Sequence, residues 1–278
     1  MLIRSMALKN FLSFGENQGP VALRDLNVII GPNGSGKSNL LEAIDLLRHA
    51  PDQLMRPIRE GGGVRDWLWK GAEGTPVASL DVVVDYPKGF AKIVQKLRYK
   101  LSFTSVGQRF ELVQECIENE LPSVVGQEPH FYYRFADGKP VLNVNNELRE
   151  LWWTELSYES SILAQRKDPY QYPELTWLGQ ALRKIQLYRE WSFGRYTPPR
   201  LPQKADLPNE HLEPDCRNLG LVLNRLRRDP DAKQKLLVAL RVLYAGIDDY
   251  DVQIEGGTVQ VFLQEGRYTI PATRLSDG

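Results

Sequence analysis

Cysteine is scarce in this chain of 278 residues. Its two representatives, Cys116 and Cys216, lie far apart with no partner at ligand spacing, which excludes a disulfide framework and a cysteine-based zinc site and points to free thiols in a reducing compartment. The histidines, His49, His130 and His211, are equally isolated, so no transition-metal site is expected. No run approaches the ~18 apolar residues that a bilayer span needs. Arg4 and Lys9 interrupt the N-terminus before a signal-peptide core can form. The expectation is a soluble, cytoplasmic protein without a membrane partner. Net charge is missing as well, because 35 Lys and Arg balance 35 Asp and Glu; this excludes a protein that coats nucleic acid through global charge, though not a local basic patch. The absence of a repeat or a sustained heptad pattern excludes a long coiled-coil arm.

What is present is ordinary globular material, 42% hydrophobic and 25% charged, enough for one large or two small domains. Leu2, Arg4, Met6 and Leu8 alternate with Ile3, Ser5, Ala7 and Lys9 as in a strand, and the Gly19-Pro20 turn leads to Val21 and Leu23. Leu26-Asn27-Val28-Ile29-Ile30 reads as a short interior strand covered on both faces. A glycine-rich loop follows, then Leu40, Leu41, Ala43, Ile44, Leu46 and Leu47 at helical spacing, closed by Pro51. Between Val77 and Val144 the pattern is antiparallel β, with a hairpin turn predicted at Asp137-Gly138. Leu175, Leu178, Leu182 and Ile185 mark an amphipathic helix, and two more fit Leu219 to Leu226 and Leu236 to Leu243. A second hairpin joins Val252 and Ile254 to Val259 and Val261 through Gly256-Gly257.

Chemistry enters at Gly31-Pro32-Asn33-Gly34-Ser35-Gly36-Lys37-Ser38, a full match to G-x-x-x-x-G-K-[ST] between a predicted strand and a predicted helix. Glycines let the backbone wrap closely around phosphate, and the helix N-terminus directs amides and a positive dipole end at the same point. Lys37 is placed to reach the β and γ phosphates, Ser38 to ligand Mg²⁺, and Asn39 to extend the nucleotide contact, so ATP with Mg²⁺ is the expected cofactor pair.

This loop, taken with Leu275-Ser276-Asp277-Gly278 at the other end, resembles the ABC-type ATPases of the SMC and RecF branch, including compact ATPases whose signature begins Leu-Ser-Asp-Gly. The resemblance extends through most of the chain: Leu8-Lys9-Asn10-Phe11-Leu12-Ser13-Phe14 looks like the family's first strand, and Pro57-Ile58-Arg59-Glu60-Gly61-Gly62-Gly63 follows the first helix as in these compact ATPases. It implies an α/β P-loop head with an antiparallel β subdomain and a helical segment. It implies a homodimer in which two heads sandwich ATP, Ser276, Asp277 and Gly278 of one chain meeting the nucleotide held by the other. It also implies a Q-loop glutamine that holds Mg²⁺ and the attacking water, for which Gln165 in Ser161-Ile162-Leu163-Ala164-Gln165 is the candidate, and a basic loop at Arg59 or Arg65. In the family an apolar strand ending in Asp-Glu follows the signature. Leu80-Asp81-Val82-Val83-Val84-Asp85 precedes the signature and reads as an ordinary strand, so the chain is expected to lack the C-terminal lobe, to hydrolyse ATP weakly if at all alone, and to associate. DNA maintenance or phage defence is the implied setting, with DNA or an effector protein as partner.

Four segments follow from these readings: 1–75 with the phosphate loop and first helix, 76–160 as the β lobe, 161–250 as the Gln165 and helical segment, and 251–278 as the final hairpin and signature. Three rivals stay open: a non-hydrolysing nucleotide sensor or scaffold, a transporter's nucleotide-binding subunit, and a P-loop kinase of small molecules. Residues Gln165 to Ala205 hold eight basic side chains among aromatics, which fits either DNA contact or core packing of Trp177, Tyr188 and Trp191 with their charged neighbours in water. Phe14 is read as a core residue, and the acidic run Glu111, Glu115, Glu118 and Glu120 as a solvated face.

Overall fold

The computed structural model describes residues 2–87, 96–124, 126–144, 146–152, 156–157, 159–189 and 191–275. These form two compact units that divide after Ile185.

The first unit is built on an eight-stranded antiparallel sheet. In chain order its elements are β1 (Ile3–Lys9), β2 (Val21–Ala22), α1 (Lys37–His49), α2 (Met55–Glu60), α3 (Val64–Trp67), β3 (Ala78–Asp85), β4 (Lys96–Val106), β5 (Arg109–Asn119), β6 (Phe131–Ala136), β7 (Lys139–Val144), β8 (Glu147–Glu150), α4 (Ile162–Gln165) and α5 (Pro173–Arg183). The strand order β2-β1-β3-β4-β5-β6-β7-β8 departs from chain order only at its start. Strand alternation carries one face inward: Ala78, Leu80, Val82 and Val84 on β3 and Leu97, Tyr99, Leu101 and Phe103 on β4 are all buried. Leu40, Ala43, Leu46 and Leu47 of α1 and Leu175, Leu178 and Leu182 of α5 complete that core. Each such leucine contributes about 1.5–3 kcal/mol on burial. The opposite face of the sheet is polar, bearing Arg98 paired with Asp81 and Lys100 with Glu118 at 2.6 Å.

Three register shifts interrupt the ladders, at β1–β3, β4–β5 and β5–β6, and the first two decide which side chains the core receives. On β1 a shift between Ile3 and Ser5 buries both Ile3 and Met6, which strict alternation would set on opposite sides. Between β4 and β5, Ser102 pairs with Gln114 and Phe103 with Leu112, leaving Val113 as the extra residue. Phe110 and Leu112 therefore share the inner face with Glu115 and Ile117. This corrects the solvated reading of the acidic run: Glu115 is fully buried and Glu118 nearly so, while Glu111 stays exposed.

Leu26 to Ile30 also require correction. The segment is not a strand, joins no sheet among the described residues, and leaves Leu26 81%, Val28 79% and Ile30 87% exposed. Its β-branched composition suits an interior strand, but a strand exists only where neighbours accept its backbone bonds, and every strand pairing described here is antiparallel and formed elsewhere.

The second unit holds β9 (Gln203–Lys204), α6 (Leu219–Leu226), α7 (Pro230–Leu243), β10 (Asp249–Glu255), β11 (Thr258–Glu265) and β12 (Tyr268–Pro271), followed by a 3₁₀ turn at Ala272–Arg274. β11 pairs with β10, β12 and β9. Leu221, Leu237, Ile247, Tyr250, Val252 and Val259 form its core. The glycine turns behave as their sequences demand: Asp137 and Gly138, like Gly256 and Gly257, all adopt positive φ. No helix among the described residues is long and apolar enough to cross a membrane.

Candidate nucleotide site

Residues 31–38 form an open loop that ends in α1. Gly34 and Gly36 adopt φ of 80° and 88°, a left-handed conformation that costs other residues about 1–2 kcal/mol. Gly36 is the N-cap of α1, and no side chain caps that end, so the first-turn amides keep their donors directed outward, with no acidic residue in that turn to oppose an anion. Lys37 Nζ donates to the carbonyls of Gly31 at 2.8 Å and Pro32 at 2.7 Å, with Ser35 Oγ at 3.4 Å. The ammonium thus lies across the loop mouth, held by neutral acceptors that an incoming phosphate would outcompete. Ser38 is exposed and Asn39 half-buried on the following turn.

The turn after β1 backs this loop. Phe11 and Phe14 exchange backbone bonds at 3.0 and 2.8 Å, Leu12 N donates to Trp67 O at 2.9 Å, and Asn10 and Leu12 both take positive φ. A Cβ placed on Gly36 would meet Ser13 Oγ at 2.7 Å and Phe14 Cζ at 3.8 Å. Phe14 is a partly buried member of the core margin, in line with its sequence reading. Ser13 was not legible as a neighbour of the loop, since only the turn brings it there.

Gln165 closes α4 in the same unit. Its Oε1 accepts from Ser157 N at 2.8 Å, and its Nε2 donates to the carbonyls of Ser160 at 3.0 Å, Ser157 at 3.3 Å and Ser161 at 3.4 Å. None of its hydrogen bonds reaches residues 31–38. Arg59 lies at the end of α2 and donates to Glu159 at 2.8 Å; Arg65 is exposed, its carbonyl accepting from Lys70 Nζ at 2.7 Å. Ser276, Asp277 and Gly278 lie outside the described residues, the chain being described as far as Leu275.

Beneath α4 lies a group that the sequence reading missed. Glu115 Oε1 accepts from Tyr99 Oη at 2.8 Å and from Ser161 Oγ, and its Oε2 accepts from Ile162 N at 2.9 Å. Burial holds the Glu115 carboxyl above the usual carboxylate range, opposed by those three donors. On the polar face burial and the nearby Glu118 push the Cys116 thiol up to about 12, which leaves it unreactive as a nucleophile. The one signal for Glu115 was the spacing of Leu112 and Ile117, five apart, which breaks the period of two and marks a bulge.

Of the aromatics after Gln165, Trp177 packs edge-on against Tyr86 at 4.9 Å between centroids. Tyr188 and Trp191 are 41% and 56% exposed, contrary to core packing, because the described residues around them form no strand or helix to enclose a ring.

A family model described as "AAA domain, putative AbiEii toxin, Type IV TA system" matches residues 26–278. The DNA replication and repair protein RecF of Aliivibrio salmonicida (strain LFI1238) is 25% identical over 198 residues, which is 57% of this chain and 51% of that protein. The chain therefore spans about half the length of this curated relative. A solved structure, from work on the structural biochemistry of ATP-driven dimerization and DNA-stimulated activation of SMC ATPases, aligns with 39% of this chain and 70% of its own at 21% identity and a TM-score of 0.27.

Proposed function

The chain belongs to this AAA-domain family, a set of P-loop ATPases of RecF/SMC type, and from that premise we propose that it binds Mg²⁺ and ATP at Gly31 to Asn39 and uses them to gate association with a second copy. The observation that carries the proposal is the uncapped start of α1, with two left-handed glycines before it and Lys37 laid across the carbonyls of Gly31 and Pro32.

These residues fit a triphosphate. The amides at the start of α1 would hold it, Lys37 would exchange its carbonyl acceptors for the β and γ phosphates, and Ser38 and, as the resemblance implies, Gln165 would hold the cation. When bound, ATP supplies a highly charged bridge that two protein surfaces can share. Ser276, Asp277 and the Gly278 amide of a second chain, as the resemblance implies, would close over the γ-phosphate, so that binding energy becomes available to association. For the cell we propose DNA maintenance or phage defence, supported by the RecF relative and by the family description.

Calorimetry with Mg²⁺ and ATP tests the site. Lys37→Ala should weaken binding by about 30- to 100-fold, the equivalent of the ~2–3 kcal/mol of a charge-assisted bond, with far-UV circular dichroism unchanged. No heat from the unaltered chain, or wild-type affinity in Lys37→Ala, would refute the site. Light scattering at saturating nucleotide reads the association, and a mass that stays monomeric removes that part alone.

A further inference from the structure

We infer that the stretch from Tyr188 to Arg200, in the second unit, is a platform for single-stranded DNA, on which Trp191, Phe193 and Tyr196 stack bases while Arg189, Arg195 and Arg200 meet phosphates. This rests on the reading of a DNA setting for the chain and is independent of the nucleotide site.

The rings stand on backbone that the rest of the unit holds in place. At the start of the stretch Tyr188 Oη donates to Leu212 O at 2.8 Å. Just past its end, the buried Gln203 donates from Nε2 to the carbonyls of Pro198 at 3.1 Å and Cys216 at 3.3 Å, and its Oε1 accepts from Gly220 N of α6 at 2.7 Å. Between these anchors the chain turns twice. Thr197 donates from N and Oγ1 to Gly194 O at 3.3 and 2.8 Å, and Arg200 N donates to Thr197 O at 3.0 Å. Fixed at both ends and turned in between, the stretch keeps Trp191, Phe193 and Tyr196 at the surface, 56%, 69% and 81% exposed.

These exposures form a patch. Of the eight aromatic side chains exposed among the described residues, four fall within the nine positions from Tyr188 to Tyr196, unlike the scattered single exposures of an ordinary surface. Cations are interleaved with them. From Tyr188 to Lys204 the sequence has Arg189, Arg195, Arg200 and Lys204 against one acid, Glu190, in a chain of zero net charge. Ring faces alternating with guanidinium groups match a strand whose bases are unstacked and whose phosphates follow one another along it. A duplex offers the phosphates alone, because its base faces already stack on each other. Trp191, Phe193 and Arg200 also border a hollow of about 400 Å³ that Leu219, Leu223 and Leu240 help to line, within the size range of small-ligand pockets and suited to the apolar face of one splayed base. Its chiefly apolar lining gives base edges little to bond, so the platform selects by stacking and charge rather than by sequence.

The test is fluorescence anisotropy on the complete chain, in EDTA and without ATP, with a labelled oligothymidylate of about 20 nucleotides, longer than the ~4–16 that one such platform covers. A duplex and an oligouridylate of the same length are measured beside it, and phosphatidylserine vesicles are followed by sedimentation. The thymidine strand should bind more tightly than the duplex. Trp191→Ala, Phe193→Ala and Tyr196→Ala should each weaken it about 5- to 10-fold or more with the salt dependence unchanged. Arg195→Gln should weaken it too, and should lower the slope of log affinity against log salt by about 0.7, the share of one phosphate. A merely structural role would not separate the two kinds of variant in this way. Should Trp191→Ala fail to fold, Tyr196→Ala, at the most exposed of the three rings, carries the comparison. Failure of the chain to bind either form of DNA overturns both the platform and the DNA setting. Duplex binding as tight as that of the thymidine strand, or strand binding that the ring variants leave unchanged, overturns the platform alone. Tighter binding of the uridine strand overturns the assignment to DNA, and vesicle binding that Trp191→Ala abolishes while strand binding persists assigns the surface to a membrane instead.

Discussion

At Gly36 and Gly34 two different costs of adding one methyl group separate cleanly. Both residues hold positive φ, so Gly34→Ala and Gly36→Ala each impose about 1–2 kcal/mol of backbone strain. Around Gly34 there is open space within 4 Å, whereas at Gly36 the new Cβ meets Ser13 Oγ at 2.7 Å. Thermal melts of the nucleotide-free chain should therefore show Gly36→Ala destabilised beyond Gly34→Ala, and the additional replacement of Ser13 by Gly should return Gly36→Ala to the level of Gly34→Ala. Equal melting points for the two single variants would show that the turn after β1 does not press on the phosphate loop. The same lesson applies to Glu115. Its burial depends on one inserted residue, Val113, and on partners contributed from β4 and from the start of α4. No window of sequence around Glu115 contains those partners, which is why a run of glutamates reads as a solvated face until the register is known.

Elements whose cause is local were legible, and those whose cause is a distant neighbour were not. Leu175, Leu178 and Leu182 place α5, Leu219 to Leu226 give α6 at its observed bounds, and the Asp137-Gly138 and Gly256-Gly257 turns set both hairpins, because period and turn chemistry act within a few residues. For α7 the apolar period marks only the later part. The helix starts at Pro230, where Asp229 accepts from Asp231 N and Ala232 N at 3.1 Å, a cap-and-proline signal that the reading of apolar residues passed over. The glycine-rich loop takes the positive φ at Gly34 and Gly36 that its sequence calls for, since motif and conformation reside in the same eight residues. The segment from Leu26 to Ile30 shows the opposite limit: composition states what the residues tolerate, and pairing decides what they form. Its exposure has a measurable consequence. Ile30→Thr, at 87% exposure, should change stability by no more than about 0.5 kcal/mol, while Met6→Ala, at 0% exposure in the core of the first unit, should cost about 2–5 kcal/mol. Denaturant melts compare the two directly, and a loss at Ile30 as large as at Met6 would mean that the segment is packed in solution.

On the scale of the whole chain, each of the two units has its own sheet and its own apolar core, Ile3 to Leu182 in the first and Leu221 to Val259 in the second. Between the end of α5 at Arg183 and β9 at Gln203 there is no regular element among the described residues. That stretch carries Arg189, Arg195 and Arg200, and exposes Trp191, Phe193 at 69% and Tyr196 at 81%. Proteases cut where several consecutive residues can be drawn out without breaking hydrogen-bonded structure, so loop segments between cores are attacked before strands or helices. Arg98, Arg134 and Arg183, by contrast, sit in strands or a helix whose backbone bonds are committed. Brief trypsin treatment at neutral pH should accordingly cleave first after Arg189 or Arg195, giving two fragments that intact-mass spectrometry assigns to either side of this stretch, before any cut within β3 to β7. Each fragment should then persist under further digestion, because each retains a closed core. Early cleavage within β4 or β5 at a rate matching that at Arg195 would show that the first sheet opens as readily as the connection, and the division of the chain into two independently cored units would not hold in solution.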